Sequence, residues 1–412
     1  MTHKQYDVVI IGAGPSGAVA GSILANKGLS VIILEKQYFP RFSIGESLLP
    51  QCMQFLQQAE LEQVVLDNVA QLGFQFKNGA AFHRAGNDSA FDFTQKFTEG
   101  PGTTFQVKRG LFDKLLADET HKKGVEICYG HQVESVERLE PDVCLTVLNE
   151  QNQQYNVNAK FLLDASGFGR VLPRLLDLEK PSNFPMRKTV FTHFEDNINE
   201  ENFDRNKILI TVHPEYKDIW YWLIPFADGT SSIGVVAEPK YFDDAKSESE
   251  TLLDFLSQDP NLKTLLKNAK PIQDVRSIQG YSANVSQLFG ENYALLGNAG
   301  EFLDPVFSSG VTIALSSAVL AAPLIEKQLN GEQVNWQSEY ADKLKYGVDT
   351  FRTFVESWYD GRFQDIIFHE QQDEKIRNMI SSILAGYAWD NKNPYVSESE
   401  RRVNVLAQIC QP

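Results

Sequence analysis

The chain has 412 residues, too many for a single hydrophobic core, so two or three domains are expected. A formal charge of −16 argues against nucleic acid and anionic membrane surfaces as partners, and the hydrophobic content is that of an ordinary globular protein. The cysteines Cys52, Cys128, Cys144 and Cys410 have neither metal nor redox spacing and read as reduced thiols of a cytoplasmic protein with no metal site.

Tyr6 to Ile11 is a short apolar run rich in β-branched residues, the pattern of a buried strand. Gly12-Ala13-Gly14-Pro15-Ser16-Gly17 follows at once, then Ala18 to Lys27 at helical spacing, then a second apolar strand, Val31 to Leu34, closed by Glu35. This is G-x-G-x-x-G inside a βαβ unit. The glycines permit a tight turn and close approach of a pyrophosphate, the helix start attracts its charge, and Glu35 suits ribose hydroxyls. A position at the very start of the chain, with further flavin-type turns after it, favours FAD over NAD. No signal peptide is read before the first strand.

Phe39 to Pro50 (FPRFSIGESLLP) carries the turn Gly45-Glu46-Ser47, with a helical run predicted over Leu48 to Ala59. Leu72 to Arg84 alternates partly like a strand. It holds Lys77 among Phe74, Phe76 and Phe82, either a solvated lysine or one whose charge an apolar surround disfavours. Arg109 opens a helix over Gly110 to Lys123 and is suited either to a phosphate or to surface acids. Val125 to Cys128, Gln132 to Glu137 and Val143 to Leu148 read as a three-stranded meander. Phe161 to Asp164 returns the chain to the first sheet.

Thr189 to Phe194, Ile208 to His213, Ile219 to Ile224 and Ser232 to Val236 predict a second, antiparallel sheet. It carries Trp220-Tyr221-Trp222-Leu223-Ile224-Pro225. Period-two alternation places both indoles and Ile224 on one face, and Pro225 ends the strand or marks an edge. A pair of core tryptophans has the same spacing.

Ser247 to Lys267 reads as mostly helical, and Tyr293 to Leu296 as a strand. Gly297-Asn298 and Asp304-Pro305-Val306-Phe307-Ser308-Ser309-Gly310 lead into a long apolar helix from Val311. Free amides at that helix start suit an anion or a plain cap. The apolar run Val311 to Ile325 contains Pro323 and is too short to span a bilayer, so no membrane span is expected. From Gln337 onward the chain is helical and aromatic.

The expected fold class is therefore mixed α/β. A Rossmann-like FAD-binding domain with a parallel sheet and β-meander is assembled discontinuously from residues 1–70, 101–178 and 272–330. An antiparallel substrate-side sheet comes from 71–100 and 179–271, and a C-terminal helical region from 331–412.

The motifs G-A-G-P-S-G, P-R-F-S-I-G-E-S-L-L-P, W-Y-W-L-I-P and F-L-D-P-V-F-S-S-G together resemble the flavin-dependent halogenases, which share the fold of FAD monooxygenases of the p-hydroxybenzoate hydroxylase type. A further mark is a lysine about thirty residues after the G-E-[SA] turn; Lys77 is thirty-one after Glu46. The resemblance implies that reduced FAD from a separate flavin reductase reacts with oxygen to a C4a-hydroperoxide, which chloride or bromide converts to hypohalous acid. It implies that Lys77 carries the halogen to an electron-rich aromatic ring, that Trp220 and Trp222 separate flavin from substrate, and that Ser309 and Gly310 hold the halide. Motifs and resemblance together give the cofactor-binding candidates Gly12, Ala13, Gly14, Pro15, Ser16, Gly17, Glu35, Lys36, Arg41, Gly45, Ser47, Arg109, Val133, Asp164, Gly297, Asn298, Asp304, Gly310 and Val311. Phe307, where tryptophan halogenases carry a glutamate, points to the phenol and pyrrole branch, whose substrates are free or carrier-protein-bound rings. Asn298 stands where monooxygenases of this fold have aspartate, and its amide still suits a ribityl hydroxyl. The competing readings are an FAD monooxygenase or geranylgeranyl-reductase-like enzyme without halide chemistry, and a non-catalytic flavin-binding protein.

Overall fold

The computed structural model describes residues 5–201, 203–371 and 373–410. The chain opens with β1 (Gln5–Ile11), α1 (Pro15–Asn26) and β2 (Val31–Glu35), the expected βαβ unit. α2 (Gln51–Gln58) starts three residues later than the predicted run, because Leu48 pairs with the Phe105 carbonyl and Pro50 caps the helix. α3 (Glu62–Leu72) ends at Gly73, whose φ of 65° is left-handed. The expected single strand from Leu72 is thus two, β3 (Gln75–Lys77) and β4 (Gly79–Arg84), and they enter different sheets. β5 (Asn87–Asp92) and β6 (Thr104–Gln106) pair with β4 and β3 respectively.

α4 (Arg109–Lys122) precedes β7 (Glu126–Tyr129), β8 (Gln132–Arg138), β9 (Val143–Leu148) and β10 (Gln154–Asp164). The first expected meander strand is displaced: β7 pairs parallel with β2 at the far edge, as a helical crossover allows. The meander is β8–β9–β10. β10 is the spine of this sheet, running parallel to β1 along its length. The sheet order is β7-β2-β1-β10-β9-β8.

After α5 (Val171–Leu175) and β11 (Glu179–Pro181) come β12 (Lys188–Glu195), β13 (Lys207–Val212), β14 (Trp220–Pro225) and β15 (Thr230–Ala237), at the residues predicted for a second sheet. That sheet is not wholly antiparallel, since β13 runs parallel to β4. α6 (Glu248–Gln258) and α7 (Pro260–Leu265) cover its outer face, and Tyr221 and Leu223 pack there. β16 (Lys270–Pro271) and β17 (Arg276–Gln279) pair with β12, β18 (Ala283–Val285) with β11, and β19 (Tyr293–Leu295) with β10.

α8 (Ser309–Leu329) has 21 residues, long and apolar enough by composition to cross a bilayer, which corrects the shorter estimate. Its residues are mostly buried, and it packs against α1 and α2 as a core helix. α9 (Asp342–Tyr359), α10 (Arg362–Ile367), α11 (Glu374–Leu384), α12 (Pro394–Ser397) and α13 (Ser399–Ile409) complete the chain. One continuous apolar cluster joins α1, Trp220, Trp222, α8 and the C-terminal helices, so the three expected parts share a core.

Candidate active site

A cavity of about 560 Å³ runs from the first glycine turn to the face of β14. At one end it is lined by Gly12, Gly14, Pro15, Ser16, Glu35 and Lys36. No side chain among the described residues caps the start of α1, so its first amides and the positive end of the helix are available to an anion. Gly12 has φ +97°, and a Cβ there would meet the Ala165 carbonyl oxygen at 2.6 Å. The glycine is therefore required twice, for conformation and for space. The Glu35 carboxylate accepts from the Ala13 amide at 2.9 Å and the Gln37 amide at 2.9 Å, which fixes it at the cavity wall.

The middle of the cavity is lined by Arg41, Gly45, Ser47, Arg109 and Val133. Arg109 pairs with a buried acid, not a surface one: fully buried Asp113 takes its Nε at 2.8 Å and Nη2 at 3.1 Å, and Arg41 Nη1 at 3.1 Å. One buried carboxylate thus holds two guanidinium groups against the cavity.

The far end is closed by Trp220, Trp222 and Ile224, all facing inward from β14 as the alternation requires. Asn298, Ser308, Gly310 and Val311 face them. Asn298 Oδ1 is buried with no partner among the described residues, an acceptor left for a bound hydroxyl. Ser308 has φ +56°, and this left-handed turn starts α8 with no side-chain cap among the described residues.

Several predicted residues stand behind the cavity instead of on it. Gly17 is a packing glycine, because a Cβ would lie 2.0 Å from the Gly12 carbonyl oxygen. Gly297 lies against α8 in the same sense, because a Cβ there would lie 2.8 Å from Ala314 Cα. Ala13 turns its amide to Glu35. Asp164 accepts the Ser166 and Leu172 amides at 2.9 and 2.7 Å and so braces the turn that follows β10. Asp304 accepts the Val306 amide at 3.0 Å and the Tyr359 hydroxyl at 2.8 Å. Ser309 is buried beside the lining residues Ser308 and Gly310. Phe307 packs edge-on against Trp358 and Phe363, with centroids at 5.8 and 5.4 Å.

Lys77 is fully buried, and it too lies just behind the wall. Its Nζ donates to Ser47 Oγ at 2.8 Å and to the Leu48 carbonyl at 2.8 Å. Ser47 is on the cavity wall, so one hydroxyl separates the amine from the cavity. The neighbourhood differs from the expected one: Phe76 points outward, 43% exposed, and Phe93 supplies the ring at 5.5 Å from Nζ. Burial pushes the Lys77 ammonium down to about 7.

Residues missed from the sequence include His131, Gln132, Ser166 and Phe302 on the lining. A buried pair was also missed, His193 Nε2 to Glu46 Oε1 at 2.7 Å. Glu46 sat in a quoted motif, but nothing in local sequence joins it to His193, 147 residues away.

A long cavity with a dinucleotide turn at one end and a paired-indole wall at the other defines a flavoprotein. Residues 5–340 match the family model described as FAD binding domain, and the chain is an FAD-dependent oxidoreductase of that class. It is 31% identical to flavin-dependent halogenase armH3 of Armillaria mellea, covering 98% of this chain and 85% of that protein. It is 28% identical to a 1H-pyrrole-2-carbonyl-[peptidyl-carrier protein] chlorinase of Pseudomonas fluorescens, covering 98% and 94%. Within the class the chain belongs to the flavin-dependent halogenase family, as its motifs led one to expect. A solved flavoprotein/dehydrogenase of Cytophaga hutchinsonii superposes with a TM-score of 0.94 at 40% identity over 99% of each chain.

Proposed function

We propose that the protein halogenates an electron-rich phenolic or pyrrolic ring, free or carrier-bound, using reduced FAD, oxygen and chloride or bromide. The observation that carries this reading is the fully buried Lys77 amine, one hydroxyl away from the flavin cavity.

Gly12, Gly14 and the amides opening α1 would hold the FAD diphosphate, Glu35 the ribose, and Asn298 a ribityl hydroxyl. Bound reduced FAD supplies the electrons that activate oxygen for halide oxidation. The amides at Ser308 to Gly310, at the positive end of α8, favour a halide beside the cavity. Trp220 and Trp222 keep an aromatic substrate from the flavin, so that only a small oxidised halogen species crosses. At Lys77 the Leu48 carbonyl and Ser47 hydroxyl accept the two N–H bonds of a neutral amine and leave its lone pair free. Attack of that lone pair on hypohalous acid forms an N–X bond, breaks X–O and, with the amine proton, releases water. In the ammonium form the same group would instead hydrogen-bond to the acid and polarise it. Either way the halogen is held in a site sealed from bulk water, which gains from orientation.

A single dinucleotide fingerprint supports an external flavin reductase as the source of reduced FAD, and cysteines with neither metal nor redox spacing suit a reducing cytoplasm. The likeness to the pyrrolyl-carrier chlorinase supports a carrier-bound substrate. The test supplies protein, reductase, FAD, bromide and a panel of phenols, pyrroles and pyrrolyl-carrier protein. Brominated product that needs both halide and protein is expected. Hydroxylated product, or NADPH oxidation by the protein without reductase, would instead favour a monooxygenase or reductase.

A further inference from the structure

We propose that Trp222, Trp220 and Tyr359, continued by Tyr241 and Tyr216, form a chain that carries oxidising equivalents from the flavin cavity to the protein surface. The inference rests on FAD occupying the large cavity and not on the halide chemistry. Both indoles line that cavity, and their rings are 6.0 Å apart. The Trp220 indole N–H donates to the Tyr359 hydroxyl at 2.9 Å, and that hydroxyl donates to Asp304 Oδ2 at 2.8 Å. The Arg187 guanidinium lies over the Tyr359 ring at 3.9 Å, and its Nη1 is 3.8 Å from Asp218 Oδ2. The Tyr241 hydroxyl donates to the other oxygen of that carboxylate, Oδ1, at 3.2 Å. The Tyr241 ring meets the Tyr216 ring at 5.1 Å, and Tyr216 is 43% exposed.

Two features set this row of rings apart from core packing. Loss of an electron makes a phenol hydroxyl strongly acidic, so a tyrosine is oxidised readily only where a base takes its proton. Tyr359 has Asp304 in that place, and Tyr241 has Asp218. A buried carboxylate is costly, and a wall that only needed bulk would have no use for one at the phenol. The second feature is the order. An indole is a donor only, and the Trp220 N–H meets the phenol instead of a carboxylate. The indoles on the cavity are therefore oxidised first, and a hole on them falls to the tyrosine that has a base.

A one-electron oxidant in the cavity, a hydroxyl radical or a halogen atom, takes an electron from Trp222 or Trp220 and becomes hydroxide or halide. An electron from Tyr359 restores the indole, and the Tyr359 proton moves to Asp304. An electron from Tyr241 then restores Tyr359, whose own proton comes back from Asp304, while the Tyr241 proton moves to Asp218. A thiol or ascorbate in solution gives one electron to the Tyr241–Tyr216 pair, and the proton returns from Asp218. One oxidant and one reductant are consumed, and every side chain ends as it began.

Light on FAD-loaded protein places a one-electron oxidant in the cavity without oxygen, halide or aromatic substrate, so the chain and the halogenase reading can fail separately. Flavin absorbance on the purified protein is checked first; protein that binds no FAD would overturn the cofactor assignment and the chain together. After a laser pulse in mildly alkaline buffer, transient absorption should show an indole radical that converts to a phenoxyl radical, and added thiol should shorten the life of the phenoxyl. Tyr359→Phe should keep the indole radical and lose its conversion. Asp304→Asn keeps the phenol but removes the base, and should lose the conversion as well. Under prolonged light with oxygen and thiol, peptide mass spectrometry should find Trp220 and Trp222 intact in the wild type and oxidised in Tyr359→Phe. Bound FAD that yields no indole radical, or a phenoxyl radical that survives in Tyr359→Phe, would overturn the proposal. If Tyr359→Phe does not fold, the wild-type chain is grown with ring-deuterated tyrosine. The electron paramagnetic resonance line of the trapped radical must then narrow, and an unchanged line would overturn the chain.

Discussion

The indole N–H of Trp220 donates to the hydroxyl of Tyr359 at 2.9 Å. That hydroxyl donates in turn to Asp304 Oδ2 at 2.8 Å. Three separate motifs meet here: the paired-tryptophan strand, the Asp-Pro turn before α8, and the end of α9. The guanidinium of Arg187 lies over the Tyr359 ring at 3.9 Å. Tyr359→Phe should leave a buried indole N–H and a buried carboxylate oxygen without their partner, at a cost of about 1–3 kcal/mol. Denaturant unfolding should register that loss. If Tyr359 anchors the wall, the variant should also admit more substrate hydroxylation; an unchanged product ratio would limit Tyr359 to a structural role.

Asp304 gives the same network a pH signature. Burial raises its carboxyl to about 6, against the Tyr359 hydrogen bond, the Val306 amide and the Arg187 charge, which lower it. Its folded value thus lies above the unfolded 3.8. Between these values the unfolded chain has released its proton and the folded chain has not. Stability is therefore full below about 4 and falls as pH rises to about 6, by roughly 3 kcal/mol for this group. Asp304→Asn should flatten that part of a stability-versus-pH curve measured by denaturant. An unchanged slope would show that another group carries it.

Trp222 depends on a glycine across the sheet. Gly234 is its register partner on β15, and a Cβ there would lie 2.3 Å from Trp222 Cζ2 and 2.7 Å from Phe191 Cβ. The indole also donates to Ser232 Oγ at 3.1 Å. Gly234→Ala should push Trp222 off this position and overpack the wall, costing about 1–3 kcal/mol. FAD titration should show weakened binding, whereas a surface control such as Gly229→Ala should leave FAD affinity unchanged. Full FAD affinity in Gly234→Ala would mean that the indole does not border the flavin.

The sequence was most legible where chemistry is local. The first βαβ unit, the inward pair of tryptophans and the turn before α8 all follow from period, glycine placement and caps. What escaped it depended on long-range pairing. β7 looks like a meander strand because the preference for β2 as partner is set by the α4 crossover, not by its own residues. Phe76 and Lys77 sit on opposite faces of a short ribbon with β6, a three-residue strand without a pattern of its own; hence the outward Phe76 was unforeseen. Asp164 and Asp304 looked like ligands because a buried aspartate after a strand is common to sites and to turns. Only their hydrogen-bond partners separate the two.

Lys77 and the flavin cavity meet because the Ser47 segment lies along β6, with Leu48 and Val107 amides bonded to Phe105 and Glu46 carbonyls, while β6 pairs with β3 on its other side. Burial holds the Lys77 ammonium down to about 7, from 10.5. Between these values the unfolded chain binds a proton that the folded chain does not. Stability from this group should therefore rise with pH from about 7 to about 10.5, by up to roughly 5 kcal/mol. Lys77→Met keeps the shape, removes the charge, and should stabilise the protein at pH 7 while erasing that slope. The same variant, with Lys77→Ala and Lys77→Arg, should bind FAD normally and lose halogenation, since none offers a neutral amine near pH 7. In the wild type, halogenation should climb with pH through about 7 if the amine is the nucleophile, and fall if the ammonium is the acid. Substantial halogenation by Lys77→Ala would remove Lys77 from the reaction altogether.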